Sequence, residues 1–463
     1  MNSLLKGNPI KAILLFTIPL ILGNLLQQVF AISDTFIVGK YLGVKQLAGV
    51  GSTGTLSWLV IGFAQGFTAG TAIVTAKRFG ANDFKGVRKS MATTIIATTF
   101  LTILTTVISV IFTKQILYAM NTPDDIYQYA YSFIAIIFGT MFSVMIYNLA
   151  ANVLRAVGDS KTPLKFLVVA IVLNIILELI FILYFRWGVV GAAIATAIAQ
   201  LVSGILSFQF IYRNVPELAV RRSDFKLDKD DLKEHLFMGM PMAFQNSVLA
   251  IGGLIVQTAL NSLGTDAVAA SAASSKIAQI STLPMMSIGI AVATFVAQNL
   301  GARQYKRILT GVRQALIATN SWAILMGVLE ILFGHILVSY FIGSNHQHIL
   351  QLSKLYFLIG GSMYVFLASL FTIRYALQGL GNARVPTIAA FSELTMRIIG
   401  AIVLVSIFKY AGAVASDPLA WIGSILILLP AWFKAIKKLK SLQDGQAING
   451  QLQPIASTEN KNA

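Results

Sequence analysis

The sequence predicts an all-α integral membrane protein of twelve transmembrane helices, arranged as two pseudo-symmetric six-helix lobes. Three observations carry that prediction. The chain is 56% hydrophobic and only 11% charged, with a mean hydropathy of +0.75, whereas a soluble domain carries about 25% charged residues. Apolar stretches long enough for a span of about 20 residues recur along its length. The sequence is also written twice: GFTAGTAIVTAKRFGANDFK, from Gly66 to Lys85, is echoed 221 residues later by SIGIAVATFVAQNLGARQYK, from Ser287 to Lys306. A second pair follows, LRAVGDSKTP (Leu154 to Pro163) and LQGLGNARVP (Leu377 to Pro386). Two similar halves in so apolar a chain imply a transporter that moves one half against the other around a central site.

The elements follow in order. A short polar start, MNSLLKGN, leads into a long span with no small-residue cleavage site, so no removable signal peptide is expected. The first half places spans at about 10–38, 48–79, 90–113, 127–154, 163–185 and 188–212. RNVPELAVRRSDFKLDKDDLKEHL, from Arg213 to Leu236, is the strongest composition break and reads as a linker with a short surface helix leading into the next span. The second half places spans at about 237–263, 268–299, 310–341, 351–378, 386–408 and 411–435. The domains are therefore a lobe over 1–212, a linker over 213–236, a lobe over 237–436 and a polar tail over 437–463, disordered from about Ser441.

Charge fixes the orientation. The net charge of +17 concentrates in alternate loops, including Lys77 to Lys89, Arg155 to Lys165, Arg213 to Lys233, Arg303 to Arg313 and Lys434 to Lys440. The positive-inside rule makes both termini cytoplasmic, which requires an even number of spans. Six spans per half then give a parallel repeat about an axis along the membrane normal. No folded aromatic-basic module accompanies the charge, which argues against a nucleic-acid partner. The absence of cysteine excludes disulfides and thiolate chemistry. No nucleotide loop, metal-ligand spacing or nucleophile–base set is present, and the four histidines (His235, His335, His346, His348) lie in or near loops, so neither enzyme activity nor a cofactor is expected.

Ionisable groups at membrane depth are the candidate functional residues, since each costs several kcal/mol unless paired or neutralised. Six stand out: Asp34, Glu178, Lys276, Glu330, Glu393 and Arg397. Asp34 lies in the first span. Glu178 lies in LNIILELIFI with Asn174 one turn before it on the same face, and Asn148 and Thr196 add neutral oxygens. The second half does not repeat the acids. Two neighbouring carboxyls at low dielectric resist ionising together, so this set could bind and release a proton. Its oxygens also suit sodium, the only metal ion the sequence suggests. Asn174 and Glu178 would equally serve to bond neighbouring helices.

In the second half, Glu393 and Arg397 are four apart and can pair along one helix face, either as a self-neutralising pair or as a charge relay or substrate contact. Lys276, among small residues, is positioned to face a central cavity or approach Glu393. Glu330 has no obvious partner. Pro19 permits a bend in the first span, although proline near a span's start is common. Gln27, Gln28, Met285 and Met286 are candidates for an adaptable substrate surface, and each would also serve as plain packing.

The chain resembles the multidrug and toxic compound extrusion (MATE) transporters. The residues that carry the likeness are IPLILGNLLQQVFAISDTFIVG with Pro19 and Asp34, AKRFGAND, LRAVGDSKTP, LNIILELIF followed by GAAIATAIAQ, VAQNLGAR and LQGLGNARVP, covering residues 5 to 435. The resemblance implies a V-shaped chamber between two lobes, open to one side at a time. It also implies export of organic cations and amphiphiles in antiport with H+ or Na+, by a chain in the bacterial inner membrane that works among lipids as a monomer. Asp34 matches the family's first-helix acid, Asn174 with the acid one turn later its fifth-helix pair, Asn148 its fourth-helix amide and Thr196 its sixth-helix hydroxyl. Many relatives carry Asp where this chain has Glu178, so the carboxylate here reaches one methylene further. Glu393 and Lys276 are similar to the damage-inducible-type branch. Two other readings remain: a flippase for lipid-linked saccharides, which needs several cationic chamber residues, and a non-transporting scaffold, which needs no buried Asp34.

Overall fold

The computed structural model describes residues 4–120, 122–343 and 345–451. The first half comprises α1 (Pro9–Tyr41), α2 (Val44–Ser52), α3 (Gly54–Gly80), α4 (Phe84–Ala119), α5 (Asp124–Gly139), α6 (Met141–Ala156), α7 (Lys161–Leu179) and α8 (Gly188–Asn214). The second comprises α9 (Lys229–Asn261), α10 (Thr265–Gly301), α11 (Tyr305–Ile342), α12 (Gln347–Ser362), α13 (Tyr364–Gly379), α14 (Arg384–Ile399), α15 (Val405–Phe408) and α16 (Tyr410–Gln451). Among the described residues there is no strand. Ten helices are long and apolar enough to cross a membrane, and counting two bent pairs as one span each gives the predicted twelve. This is a multi-pass membrane protein. Spanning helices satisfy their own backbone, which is why an apolar chain takes this form.

Local sequence sets the helix starts. Asn8 accepts a hydrogen bond from the Ile10 backbone N–H ahead of Pro9, Asp83 caps α4 through Gly86, and Asp228 caps α9 through Asp230. Large apolar side chains such as Phe100, Ile103 and Ile111 on α4 and Leu332 on α11 stay exposed on the outer faces, as lipid contact requires.

The duplication extends to the irregularities of the backbone. α5 and α6 meet at a bend of 48°, and α12 and α13 at one of 46°. α7 and α14 each end in a π turn, at Ile180–Tyr184 and Gly400–Leu404. The turn after α3 holds Asn82 at φ 57°, and its copy after α10 holds Arg303 at φ 55°.

α1 belongs to both lobes. Its first half packs Ala12, Ile13, Phe16 and Leu20 into the second-lobe core with Ile288, Val292, Phe295 and Val312. Its last turns place Ile37 and Val38 in the first-lobe core with Phe133, Ile134 and Ile182. The crossover falls just after the buried Pro19: Asn24 donates to Ser287 on α10 at 3.1 Å, while Gly23 faces Leu164 and Leu167 on α7.

The lobes meet closely at the end that carries the basic loops. Gly66 and Gly70 of α3 lie against the carbonyls of Met242 and Met238 of α9, so close that an added Cβ would come within 2.5 Å of either oxygen. Gly80 likewise abuts Gln298, and Gly301 abuts the Lys77 carbonyl. Small residues permit such backbone approach. The break expected at Ser441 is not a helix end: α16 continues to Gln451, and the rest of the polar tail lies outside the described residues.

Candidate functional site

The first-lobe acids converge. Asp34 from α1 and Glu178 from α7 bring their carboxyls close enough to interact directly. Glu178 and Asn174 are fully buried, and Asp34 is half-buried. Asn174 stands one turn before Glu178 and donates to Thr196 Oγ1 on α8 at 3.1 Å. Asn148 turns its amide N–H to the Val144 carbonyl of its own helix, at 2.8 Å.

What distinguishes the cluster is its surplus of acceptors. Asp34 Oδ1, both oxygens of Glu178 and Asn174 Oδ1 are buried with no hydrogen-bond partner, as is Oε1 of Gln200, one turn beyond Thr196 on α8. Buried polar atoms in folded proteins are almost always satisfied. Oxygens of this kind, brought together without donors, suit a shared proton or a hard cation. No cluster of three or more His, Cys, Asp or Glu side chains suited to a metal occurs among the described residues, and this site has only two such groups. Gln200 escaped the sequence reading, although its spacing from Thr196 puts it on the same helix face.

The second-lobe charges pair differently from expectation. Glu393 does not bond Arg397. Its partner is Arg374 on α13, which is buried with it and also donates to Ser424 at 3.1 Å. Arg397 instead donates through Nε to Asp417 on α16 at 2.8 Å. Helix-to-helix packing supplies each charge with a partner from another element, which spacing along one helix cannot reveal. Lys276 is exposed and makes no ion pair among the described residues. Glu330, buried, accepts from the Tyr364 hydroxyl at 2.6 Å.

The candidate substrate-surface residues divide. Gln27 is exposed on α1 and Gln28 half-buried. Met285 is fully buried and packs with Ala323, Tyr364 and Ala368, so it is core rather than lining, while Met286 is half-buried.

A polar cluster that the sequence reading missed ties the lobes at the basic end. Arg78 at the end of α3 donates to Asp231 and, at 2.9 Å, to Glu234 in the first turns of α9. Asp231 also accepts from Thr93 on α4 at 2.5 Å. His235 is not a loop histidine but fully buried: its Nε2 meets Ser90 Oγ at 2.7 Å and its Nδ1 the Asp231 carbonyl at 2.7 Å. Lys89 adds a surface contact to Asp228 at 2.6 Å. Asp231, Glu234 and His235 share one face of α9 by their spacing, and that is the signal that could have marked them.

The MatE family model matches the chain twice, over residues 19–180 and 241–403, one match in each lobe. A Bacillus subtilis protein named "Probable multidrug resistance protein YoeA" is 30% identical over 81% of this chain and 82% of its own length. A Thermotoga maritima protein named "Probable multidrug resistance protein NorM" is 27% identical over 94% of this chain and 92% of its own. Among solved structures, a MATE protein in complex with MaL6 superposes with a TM-score of 0.85 at 21% identity, covering 95% of this chain and 99% of that one. A MATE protein in a bent conformation superposes at 0.86 with 21% identity, covering 96% and 98%. The chain belongs to the multidrug and toxic compound extrusion family and is a transporter rather than an enzyme.

Proposed function

We propose that this MATE-family chain is a multidrug exporter, which carries organic cations and amphiphiles outward in exchange for H+ or Na+. The observation that carries this reading is the donor-free group of buried oxygens on Asp34, Glu178 and Asn174. Such a group in an apolar span is costly when empty and charged, and a proton or sodium ion loaded there removes the cost. The names of the relatives, multidrug resistance and multidrug export proteins from Bacillus, Thermotoga and Staphylococcus, support the substrate class.

The geometry supplies a coupling route. The ion would load on the first-lobe half of α1, while the other half of the same helix is packed into the second lobe. Pro19, which removes one helical hydrogen bond, stands where α1 crosses between them. Loading would thus change how α1 fits both lobes and bias their rocking, provided the ion has different affinities for the two arrangements. The glycine contacts and the Arg78 cluster would hold the basic side shut in the arrangement described above. With the basic loops cytoplasmic, that arrangement accepts ions from outside and releases substrate there. Each charge moved inward contributes about 2.3 kcal/mol per 100 mV of membrane potential. We place the chain in the bacterial inner membrane, both termini cytoplasmic, acting as a monomer. A lipid-linked saccharide flippase is less well supported, because the buried arginines Arg374 and Arg397 are each taken up by a carboxylate.

The test is efflux of a fluorescent organic cation from proteoliposomes under an imposed proton or sodium gradient. Wild type should export with one of the two gradients and Asp34→Asn should not. Export by Asp34→Asn that follows the gradient as wild type does would remove the coupling role from this site.

A further inference from the structure

The second lobe contains a cavity of about 460 Å³ that the coupling scheme leaves unused. That is the size of an ordinary small-molecule site. Tyr356, Tyr364, Phe371 and Trp421 form an aromatic wall, and Arg397 and Asp417 a charged one. The two charges are not equivalent. The Arg397 side chain is 12% exposed and its Nη1 is buried against Gly252. The Asp417 side chain is 45% exposed, and the bond from Arg397 occupies its Oδ1, leaving Oδ2 for a ligand. Pro418, next in α16, has no N–H, so the carbonyl of Val414 lacks its helical donor. Val414 and Pro418 both line the same cavity. What the cavity presents is a half-exposed carboxylate oxygen beside aromatic faces, while its arginine neighbour is turned inward, a combination that favours positive charge.

The cavity shares part of its wall with a second one that reaches the first lobe. Gly253 and Gln257 of α9 line both, and the far side of the second, of about 310 Å³, is Thr55 and Trp58 of α3.

We propose that this second-lobe cavity is a binding subsite for bulky organic cations. Asp417 meets the positive charge, and Tyr356, Tyr364 and Trp421 supply the aromatic faces. The proposal rests on the export reading above for its ligand class and adds to it that substrate and coupling ion bind in different lobes. They then oppose each other through lobe movement rather than by displacing each other from one carboxylate.

The experiment is equilibrium binding of tetraphenylphosphonium to the purified full-length protein, with neutral triphenylphosphine oxide as the comparison. Asp417→Asn should raise the Kd for the cation by about tenfold or more and leave the neutral compound unchanged. Because the chain has no cysteine, Ser275→Cys places a single thiol on the cavity wall. Tetraphenylphosphonium should slow its labelling by a neutral maleimide, a readout that does not depend on folding of the Asp417 variant. Unchanged cation affinity in Asp417→Asn, or labelling of Ser275→Cys unaffected by saturating cation, overturns the subsite and leaves the export reading standing. Failure of the wild type to bind any organic cation overturns both.

Discussion

Glu178 meets the carboxyl of Asp34 with neither of its own oxygens receiving a hydrogen bond. Two acids in contact without a donor between them hold together only when a proton or a cation is shared. An amide in place of Glu178 supplies an N–H that Asp34 Oδ1 lacks. Glu178→Gln should therefore unfold in detergent at the same temperature as wild type or higher, by about 1 kcal/mol of added stability. In proteoliposomes the same variant should lose gradient-driven export. A lowered melting temperature with export intact would contradict both halves of this expectation.

The Arg374–Glu393 pair makes the opposite prediction for stability. Both side chains are almost fully buried, so removing one leaves the other uncompensated. Arg374→Ala or Glu393→Ala should cost about 3–5 kcal/mol, whereas Arg374→Met with Glu393→Leu should recover most of it. Thermal unfolding in detergent reads the difference. Single variants as stable as wild type would mean that the pair is not the buried ion pair described here.

The spans, the repeated halves and the presence of acids in the first-lobe spans were legible because each is local: apolar length, a repeated string, a carboxylate in a span. Asp34 stands beside Glu178, and Asn174 bonds Thr196, because α7 packs against both α1 and α8. The partners of Glu393 and Arg397 were not legible. Arg374 and Asp417 lie 19 and 20 residues away in sequence and become neighbours only through packing of α13 and α16 around α14. Glu330 illustrates the same limit, since its partner Tyr364 lies on another helix. Met285 failed in another way, because helical spacing alone does not distinguish a chamber wall from a packed interior. The Arg78–Asp231 contact crosses from one lobe to the other, and no pattern within either half foretells it.

The surface contact of Lys89 with Asp228 bears on pH dependence. The ammonium beside it, donating at 2.6 Å, holds Asp228 below the ordinary carboxylate value of 3.8. A carboxyl so depressed contributes its stabilisation above that value and loses it as the pH falls further. Between pH 5 and 8 the contact is therefore constant, and Asp228→Asn should give a transport–pH profile that overlays that of wild type. A displaced profile would make this exposed pair part of the proton response.

The glycines of α3 let its backbone lie against α9 at the basic end. A Cβ at Gly70 would stand 2.5 Å from the Met238 carbonyl and 2.7 Å from the Gly239 Cα, both backbone atoms that cannot swing aside. Gly70→Leu should therefore wedge α3 from α9 and shift the protein away from the arrangement described here. Spin labels on Lys85→Cys and Lys306→Cys, exposed positions in the two lobes at the basic end, would report the change. Wild type should give a predominantly short separation. Gly70→Leu should add or favour a longer one, and export should fall because the closed state is no longer reached. Identical distance distributions, together with unchanged export, would mean that close approach of these two backbones does not set the closed state.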